Sequence, residues 1–256
     1  MTDREVLPGG SMSDPVRVGR TVRRTAGPWT PTVHRLLEHL IAAGVDVVPR
    51  PLGIDDDGRE VLAHLPGEVP QYPLPGWVWH DDVLVVVARC VARLHAATAS
   101  FPADDGPWQL PTHGPVEVIC HNDLAPDNVV WDRGELVGVL DWDTASPGSR
   151  VWDVAYLAYR WVPLADPRNT DALPGSLTER RRRLRLLLGA YAHPLAPAAV
   201  LATVVERLRD LAAFTERRAD GPGRGHLREH AALYRRDAVW VTAHAAALAG
   251  EPGEAG

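Results

Sequence analysis

The chain has 256 residues, 45% of them hydrophobic and 23% charged, which excludes a disordered or fibrous protein and allows one large domain or two small lobes. Its net charge of −6 argues against a nucleic-acid partner and mildly favours a cationic small-molecule ligand. No apolar run approaches the ~20 residues of a membrane span, and the start, MTDREVLPGG, lacks the apolar stretch of a secretory signal, so we expect a cytoplasmic protein without a membrane partner.

The first 65 residues predict a five-stranded sheet with one helix. Three short antiparallel strands, EVLPGG, PVRVG and RTVRR, are separated by Gly-Gly and Gly-Arg breaks. The stretch TPTVHRLLEHLIAAG has apolar residues at helical spacing, with Thr30 or Thr32 as its N-cap, and predicts an amphipathic helix. RPLGI and REVLAHL flank Asp57-Gly58, a strong hairpin signal, and complete the sheet.

Residues 66–76 predict a connector, because PGEVPQYPLPG has four prolines in eleven residues. We therefore place an N-terminal lobe at 1–65, a hinge at 66–76 and a C-terminal lobe at 77–256. In the second lobe, HDDVLVVVARCVARLHAATAS predicts a helix, VEVIC a buried strand, and VVW with LVGVLDWD a hairpin. The chain from Val151 onward is helical in pattern. The predicted fold class is α+β, with a small antiparallel-sheet N-lobe and a mainly helical C-lobe.

Polar side chains concentrate around the predicted hairpin, where ICHNDLAPDNVVW holds two of the three asparagines of the chain. His121 and Asp123 lie where one strand ends, Asn128 lies where the next begins, and the hairpin returns Asp141 to the same edge. Two carboxylates and an amide oxygen match the oxygen ligands that Mg²⁺ prefers, with phosphate oxygens completing its octahedron. The pattern predicts a magnesium–nucleotide site. The alternative is turn chemistry at Asp127-Asn128 and a loop cap at Asp141.

The spacing H-x-D-x-x-x-x-N, followed by a strand-terminal aspartate, is that of protein kinases, where the first aspartate accepts the substrate hydroxyl proton and the other two residues hold magnesium. The chain resembles the aminoglycoside phosphotransferase family, within the protein-kinase-like fold. VICHNDLAPDNVVW is similar to the family's catalytic loop, usually His-Gly-Asp-x-x-x-x-Asn. GVLDWDTASPGSRVWDVAYLAY is similar to its metal-binding aspartate and the helix that follows. The likeness covers most of the chain and is strongest from Val116 to Trp161.

The resemblance implies a two-lobed, protein-kinase-like fold and assigns roles to five residues. Asp123 would be the catalytic base, Asn128 and Asp141 the magnesium ligands, and His121 a brace of the loop. Asp153 would anchor the catalytic loop through hydrogen bonds. The alternative for Asp153 is a carboxylate at a helix N-terminus, where the helix dipole favours it.

All 27 basic residues are arginines, so the chain lacks the third-strand lysine that kinases of this fold use to pair the nucleotide phosphates and a helix carboxylate. Arg23 or Arg24 of RTVRR could replace it. Strand alternation favours Arg24, because Arg23 would share a face with Thr21. A solvated arginine pair on an edge strand is the alternative. The partner of this arginine stays open, since the helix offers both Glu38 and His34.

The loop LPGGSMSD lies between the first two strands, where the fold needs backbone amides over the phosphates. Gly9 and Gly10 allow a close backbone approach, and Ser11 or Ser13 could donate a hydrogen bond to phosphate. A plain Gly-Gly turn would have the same sequence.

These features predict a Mg²⁺-dependent kinase that uses ATP or GTP and phosphorylates a hydroxyl of a small molecule, such as an aminoglycoside-like antibiotic. Asn122 and Ala125 replace an arginine and a lysine of protein kinases, which argues against protein substrates. A choline, homoserine or amino-sugar kinase would share the same loop. The short first lobe and the missing lysine favour an alternative, a binding protein that transfers little phosphate and sequesters an antibiotic or toxin as an immunity factor.

Overall fold

A computed structural model of the chain describes residues 4–7, 14–104, 106–172, 174–219 and 226–250. The chain forms two compact units. The first comprises Met1–Gln71 and Arg93–Arg150, and the second comprises Tyr72–Ala92 and Val151–Gly256. The functional division into lobes at 1–65 and 77–256 with a hinge at 66–76 stays a prediction.

The five predicted strands of the N-terminal part are confirmed. They form one antiparallel sheet in the order β1-β2-β3-β5-β4, from β1 (Arg4–Val6), β2 (Val16–Val18), β3 (Thr21–Thr25), β4 (Pro51–Ile54) and β5 (Arg59–Ala63). The β4–β5 hairpin turns at Gly58, whose φ of +73° suits the Asp-Gly signal. Because β5 pairs with β3, Arg24 lies directly opposite Glu60.

The predicted amphipathic helix is α1 (Thr30–Ala42), but the predicted N-cap is wrong. Trp29 occupies the N-cap position and its side chain makes no capping hydrogen bond. Thr30 is the first helical residue, and its Oγ1 accepts a hydrogen bond from the Gly27 N–H at 2.9 Å. The periodic apolar residues form the buried face, as their spacing predicted: Val33, Leu36, Leu37 and Leu40.

Four further strands belong to the first unit: β6 (Val118–Cys120), β7 (Val129–Asp132), β8 (Glu135–Val139) and β9 (Ser146–Gly148). β7 and β8 form the predicted hairpin, and every residue of β6 is buried. β9 was not predicted. Its sequence, Ser-Pro-Gly, has no β-forming residue, and it is a strand because it pairs antiparallel with β6. Pairing with a distant strand therefore overrides local propensity there.

The remaining elements are helices, as the sequence predicted: α2 (Asp81–Thr98), α3 (Arg150–Trp161), α4 (Leu177–Tyr191), α5 (Pro197–Ala219) and α6 (His226–Ala249). In the second unit α5 and α6 pack along each other, and α4 packs against both. Buried leucines and valines of α4 and α5 supply this core. Within the described part of the chain, no helix is both long and apolar enough to cross a membrane.

Candidate functional site

His121 fixes the start of the loop between β6 and β7. Its side chain is buried, and its Nε2 is 2.8 Å from the Leu140 carbonyl oxygen. Its Nδ1 accepts a hydrogen bond from the Asp123 N–H at 3.2 Å. With Nδ1 as an acceptor, Nε2 carries the proton and donates to Leu140. The ring also packs edge-on against Trp142, with centroids 4.7 Å apart. These contacts tie the loop to the end of β8.

Asn122 connects the same loop to the segment before β9. Its φ is +67°, in the left-handed region, where glycine and asparagine are the residues best tolerated. Its Nδ2 donates to the Thr144 carbonyl oxygen and to Ser146 Oγ, both at 2.9 Å. Thr144 Oγ1 in turn donates to the His121 carbonyl oxygen at 2.9 Å. The two residues before Asp123 are therefore bonded to the end of β8 and to the segment that leads into β9.

The structure brings Asp123 and Asn128 together at the two ends of this loop. Asn128 Nδ2 donates to the Asp123 carbonyl oxygen at 2.8 Å and to its Oδ2 at 3.1 Å. These two bonds fix which way the amide faces, so its oxygen points away from Asp123. The geometry thus orients the Asp123 carboxylate and separates it from the Asn128 amide oxygen.

Asp141 follows β8 and lies beside Asn128. The Leu140 N–H donates to the Asn128 carbonyl oxygen at 2.8 Å, which holds the two segments side by side. Asp141 has a φ of +58°, a left-handed conformation that costs about 1 kcal/mol or more for a residue with a Cβ. Asn128 and Asp141 both line one cavity, so the predicted convergence of these two residues is present in the geometry.

That cavity belongs to the first unit and has a volume of about 290 Å³. This is near the lower end of the range for small-molecule sites. Gly67 lies in its wall with a φ of +146°, and a Cβ there would be 2.6 Å from the Trp131 carbonyl oxygen. Its polar lining residues come from separate parts of the chain and face an apolar set: Arg24, His64, Gln71, Asp127, Asn128 and Asp141 against Val22, Leu62, Leu65, Val69 and Leu140.

Arg24, and not Arg23, reaches this cavity. Arg24 is 5% exposed, and its three guanidinium nitrogens each donate to a different carboxylate. Nη1 is 2.9 Å from Asp141 Oδ1, Nη2 is 2.7 Å from Asp143 Oδ1, and Nε donates to Glu60 Oε2. Arg23 lies on the other face of β3 and pairs with Asp55 at 3.2 Å, with 39% of its side chain exposed.

The partner of Arg24, left open between Glu38 and His34, is Glu60 of β5. Glu60 is fully buried, and its Oε1 is 2.9 Å from His34 Nε2. His34 therefore contacts the cluster through Glu60, while the side chain of Glu38 is exposed. Sequence reasoning missed both Glu60 and Asp143. The repeated aspartate in VLDWD could have identified Asp143, but Glu60 needed the pairing of β3 with β5.

Burial is the largest influence on the ionisation of this cluster. It would raise the pKa of Glu60, but the hydrogen bond from His34 and the charge of Arg24 outweigh it, and the pKa lies below its ordinary value. Burial raises the pKa of Asp143 to about 6; the charge of Arg24 opposes this rise, and the charges of Asp141 and Glu60 add to it. For Arg24 the three carboxylates outweigh burial and keep its pKa above the ordinary value.

The donor atoms fit a magnesium ion that shares its coordination with a substrate. Asn128 offers its amide oxygen, and Asp141 keeps Oδ2 while Oδ1 accepts from Arg24. Among the described residues no group of three or more His, Cys, Asp or Glu could hold a metal ion alone. Since Mg²⁺ commonly takes one or two protein ligands together with phosphates and water, this donor set suits a metal–nucleotide complex.

The remaining predicted residues are not brought to this cavity by the described geometry. Asp153 is buried in the first turn of α3, within the second unit, and its contact with the catalytic loop stays a prediction. Gly9, Gly10 and Ser11 lie outside the described residues.

Known proteins are similar to this chain in sequence and in fold. A family model described as the phosphotransferase enzyme family matches residues 106–187. A trifolitoxin immunity protein of Rhizobium leguminosarum bv. trifolii is 34% identical over 199 residues, which cover 75% of each chain.

Two solved structures extend the likeness to nearly the whole chain. An amicoumacin kinase, hAmiN, in complex with AMP-PNP, Ca²⁺ and Ami, has a TM-score of 0.67 at 12% identity and covers 92% of this chain and 87% of its own. The GDP complex of an aminoglycoside 2'-phosphotransferase-IIIa has a TM-score of 0.61 at 14% identity and covers 93% of each chain. The predicted α+β, protein-kinase-like fold is confirmed.

Proposed function

Because the chain belongs to the phosphotransferase enzyme family, we propose that it transfers the γ-phosphate of ATP or GTP to a hydroxyl of a small molecule. The observation that carries the proposal is the convergence of Asn128 and Asp141 on one cavity, with Asp123 bonded to Asn128. Structures similar to this one hold AMP-PNP or GDP, which supports a nucleotide as the donor.

Asp123 is the proposed catalytic base. Its half-buried carboxylate is oriented by Asn128 and accepts the proton of the acceptor hydroxyl as the hydroxyl oxygen attacks the γ-phosphorus and the nucleoside diphosphate leaves with the bridging oxygen. His121 and Asn122 hold the loop, so that the carboxylate is positioned before the acceptor arrives. Asn128 and Asp141 would hold Mg²⁺, which would neutralise part of the phosphate charge when bound. Arg24 adds the positive charge that a lysine gives in kinases of this fold.

The proposed acceptor is an aminoglycoside-like antibiotic, and the net charge of −6 suits a cationic compound. Proteins similar to this chain include one named an aminoglycoside 2'-phosphotransferase and one named an amicoumacin kinase. Choline, homoserine and amino-sugar kinases would use the same loop chemistry, so these metabolites belong in the same assay.

The test is phosphoryl transfer from ATP or GTP by the purified full chain to a panel of hydroxylated antibiotics and metabolites. We expect one class of acceptor to be phosphorylated. Asp123→Asn should then lower kcat by about 10²–10⁴-fold, because it removes the base. Asp132→Asn is the matched control, since Asp132 is exposed at the end of β7. An Asp123→Asn variant with near wild-type kcat would refute the assignment.

A second function is favoured by the relative that is named a trifolitoxin immunity protein. In this alternative the chain protects by sequestering a toxin or antibiotic and transfers little phosphate. Each guanidinium nitrogen of Arg24 already donates to a carboxylate, so Arg24 has less capacity to bind phosphate, which favours this alternative. Calorimetry with ATP or GTP and Mg²⁺ separates the two functions. A kinase must bind the nucleotide, whereas no detectable nucleotide binding favours sequestration.

A further inference from the structure

The guanidinium of Arg24 is bonded to two kinds of carboxylate. Nη1 and Nη2 donate to Asp141 and Asp143, which follow β8. Nε donates to Glu60, on the neighbouring strand of the sheet. Since different nitrogens serve the two sides, the guanidinium can loosen its bond to Asp141 without leaving Glu60.

Glu60 is the fixed end of this arrangement. It is fully buried, it lies opposite Arg24 in the β3–β5 ladder, and its second oxygen is held by His34 of α1 at 2.9 Å. A buried carboxylate with both oxygens bonded loses much more by giving up its cation than an exposed one does.

Asp141 is the exchangeable end. Its side chain is 28% exposed, against none for Glu60, so solvent and ions reach it. Solvent weakens an ion pair and lowers the cost of exchanging one cation for another. The carboxylate of Asp141 is also the one proposed to bind magnesium.

We propose that Arg24 is an exchangeable cation at the metal site: it holds Asp141 in the nucleotide-free protein and yields part of that carboxylate to a divalent cation that enters with the nucleotide. Glu60 and His34 are positioning residues, which keep the guanidinium beside the site when Asp141 turns to the metal. The inference rests on the proposed function, because it takes Asp141 as a metal ligand.

If Arg24 exchanges with the metal, substitutions of Arg24 and of Glu60 should change the affinity for metal in opposite directions. Arg24→Gln removes the competing charge and leaves the carboxylates to attract a divalent ion, so the affinity for metal rises on the order of tenfold. Glu60→Gln leaves Arg24 with fewer carboxylates, so the guanidinium binds Asp141 more strongly and the affinity for metal falls by a similar factor. A purely structural role would instead weaken metal binding in both variants.

The probe is Mn²⁺ binding to the full chain, measured by water-proton relaxation without nucleotide and again with ATP and with GTP. Arg93→Gln is the control for net charge, because Arg93 is exposed and pairs only loosely with Asp46, at 3.9 Å. Its affinity for Mn²⁺ should stay within about twofold of wild type, since exposed charges are screened. If Arg24→Gln fails to fold, Arg24→Gln combined with Glu60→Gln removes both buried charges, and it should bind Mn²⁺ more tightly than Glu60→Gln alone.

The outcomes separate this inference from the function on which it rests. Opposite shifts in Arg24→Gln and Glu60→Gln support the exchange. Equal shifts, or none, in a protein that does bind Mn²⁺ overturn the exchange and leave the proposed function standing. A wild-type chain that binds no Mn²⁺, even with ATP or GTP, overturns both.

Discussion

At the scale of single residues, backbone conformation explains an identity that chemistry alone does not. Asn122 has a φ of +67° next to the proposed base. The family that this chain resembles usually has glycine at this position, and both glycine and asparagine tolerate the left-handed region. Asparagine adds two hydrogen bonds, to Thr144 and Ser146, that glycine cannot make. Position 122 therefore requires a residue that tolerates the left-handed region, and asparagine adds hydrogen bonds that hold the loop.

At position 122 the glycine variant should therefore be more stable than the alanine variant, the reverse of the usual order. Asn122→Ala should destabilise the chain by about 2–3 kcal/mol, because it loses two hydrogen bonds and keeps the strain of a Cβ in the left-handed region without the polar side chain by which asparagine offsets it. Asn122→Gly loses the same bonds without that strain, so its cost should be about 1 kcal/mol. Chemical denaturation of both variants measures the difference. An alanine variant as stable as the glycine variant would contradict this account.

Site residues also show where local patterns fail. Alternation along one strand was enough to favour Arg24 over Arg23, because facing is a local property. Glu60 was not found, since it is 36 residues away and meets Arg24 only through the pairing of β3 with β5. Asp141 was found from its place after a strand, but its bond to Arg24 spans 117 residues.

At the scale of elements, the carboxylate of Asp237 in α6 accepts hydrogen bonds from α3 and from the segment that follows α3. It is fully buried. Its Oδ1 accepts from the Asp166 N–H at 3.0 Å, and its Oδ2 accepts from Tyr159 at 2.9 Å and from Asn169 at 2.7 Å. A single carboxylate thus connects α6, α3 and the chain between α3 and α4.

Asp237 gives a pH dependence of stability. Burial raises its pKa above the ordinary value of 3.8, although the three hydrogen bonds oppose the rise. The folded chain therefore holds this proton more tightly than the unfolded chain. The stabilisation from this group is complete below the unfolded pKa and is lost as pH rises through the folded pKa.

Asp237→Asn removes this titration and presents an amide N–H₂ to groups that are themselves donors. We expect the variant to be about 2–4 kcal/mol less stable near pH 7, and the deficit to wild type to widen as the pH is lowered toward 4. Urea unfolding at several pH values measures it. Asp210→Asn, at an exposed position of α5, should differ little from wild type. A deficit that narrows on acidification would contradict the raised pKa.

At the scale of the whole molecule, binding of the donor should stabilise the chain. A ligand at about 100 times its Kd adds about 2.7 kcal/mol, which for a chain of this length corresponds to a rise in Tm of about 5–10 °C. We expect this rise for wild type with ATP or GTP and Mg²⁺. Asp141→Asn should lose most of it, because the variant lacks one metal ligand, while Asp132→Asn should keep it. An equal shift in Asp141→Asn would argue against its role at the metal.

The sequence by itself determined the elements and the loop. Helical periodicity predicted α1, an Asp-Gly pair predicted the β4–β5 hairpin, and the spacing of His121, Asp123 and Asn128 identified the candidate site. These are short-range features, because a few consecutive residues decide them. The tertiary structure alone decided the rest: β9 exists because β6 pairs with it, and Glu60 meets Arg24 because β5, and not β4, is the neighbour of β3. Such pairings depend on the burial of a common core by distant segments, a quantity that no local pattern contains.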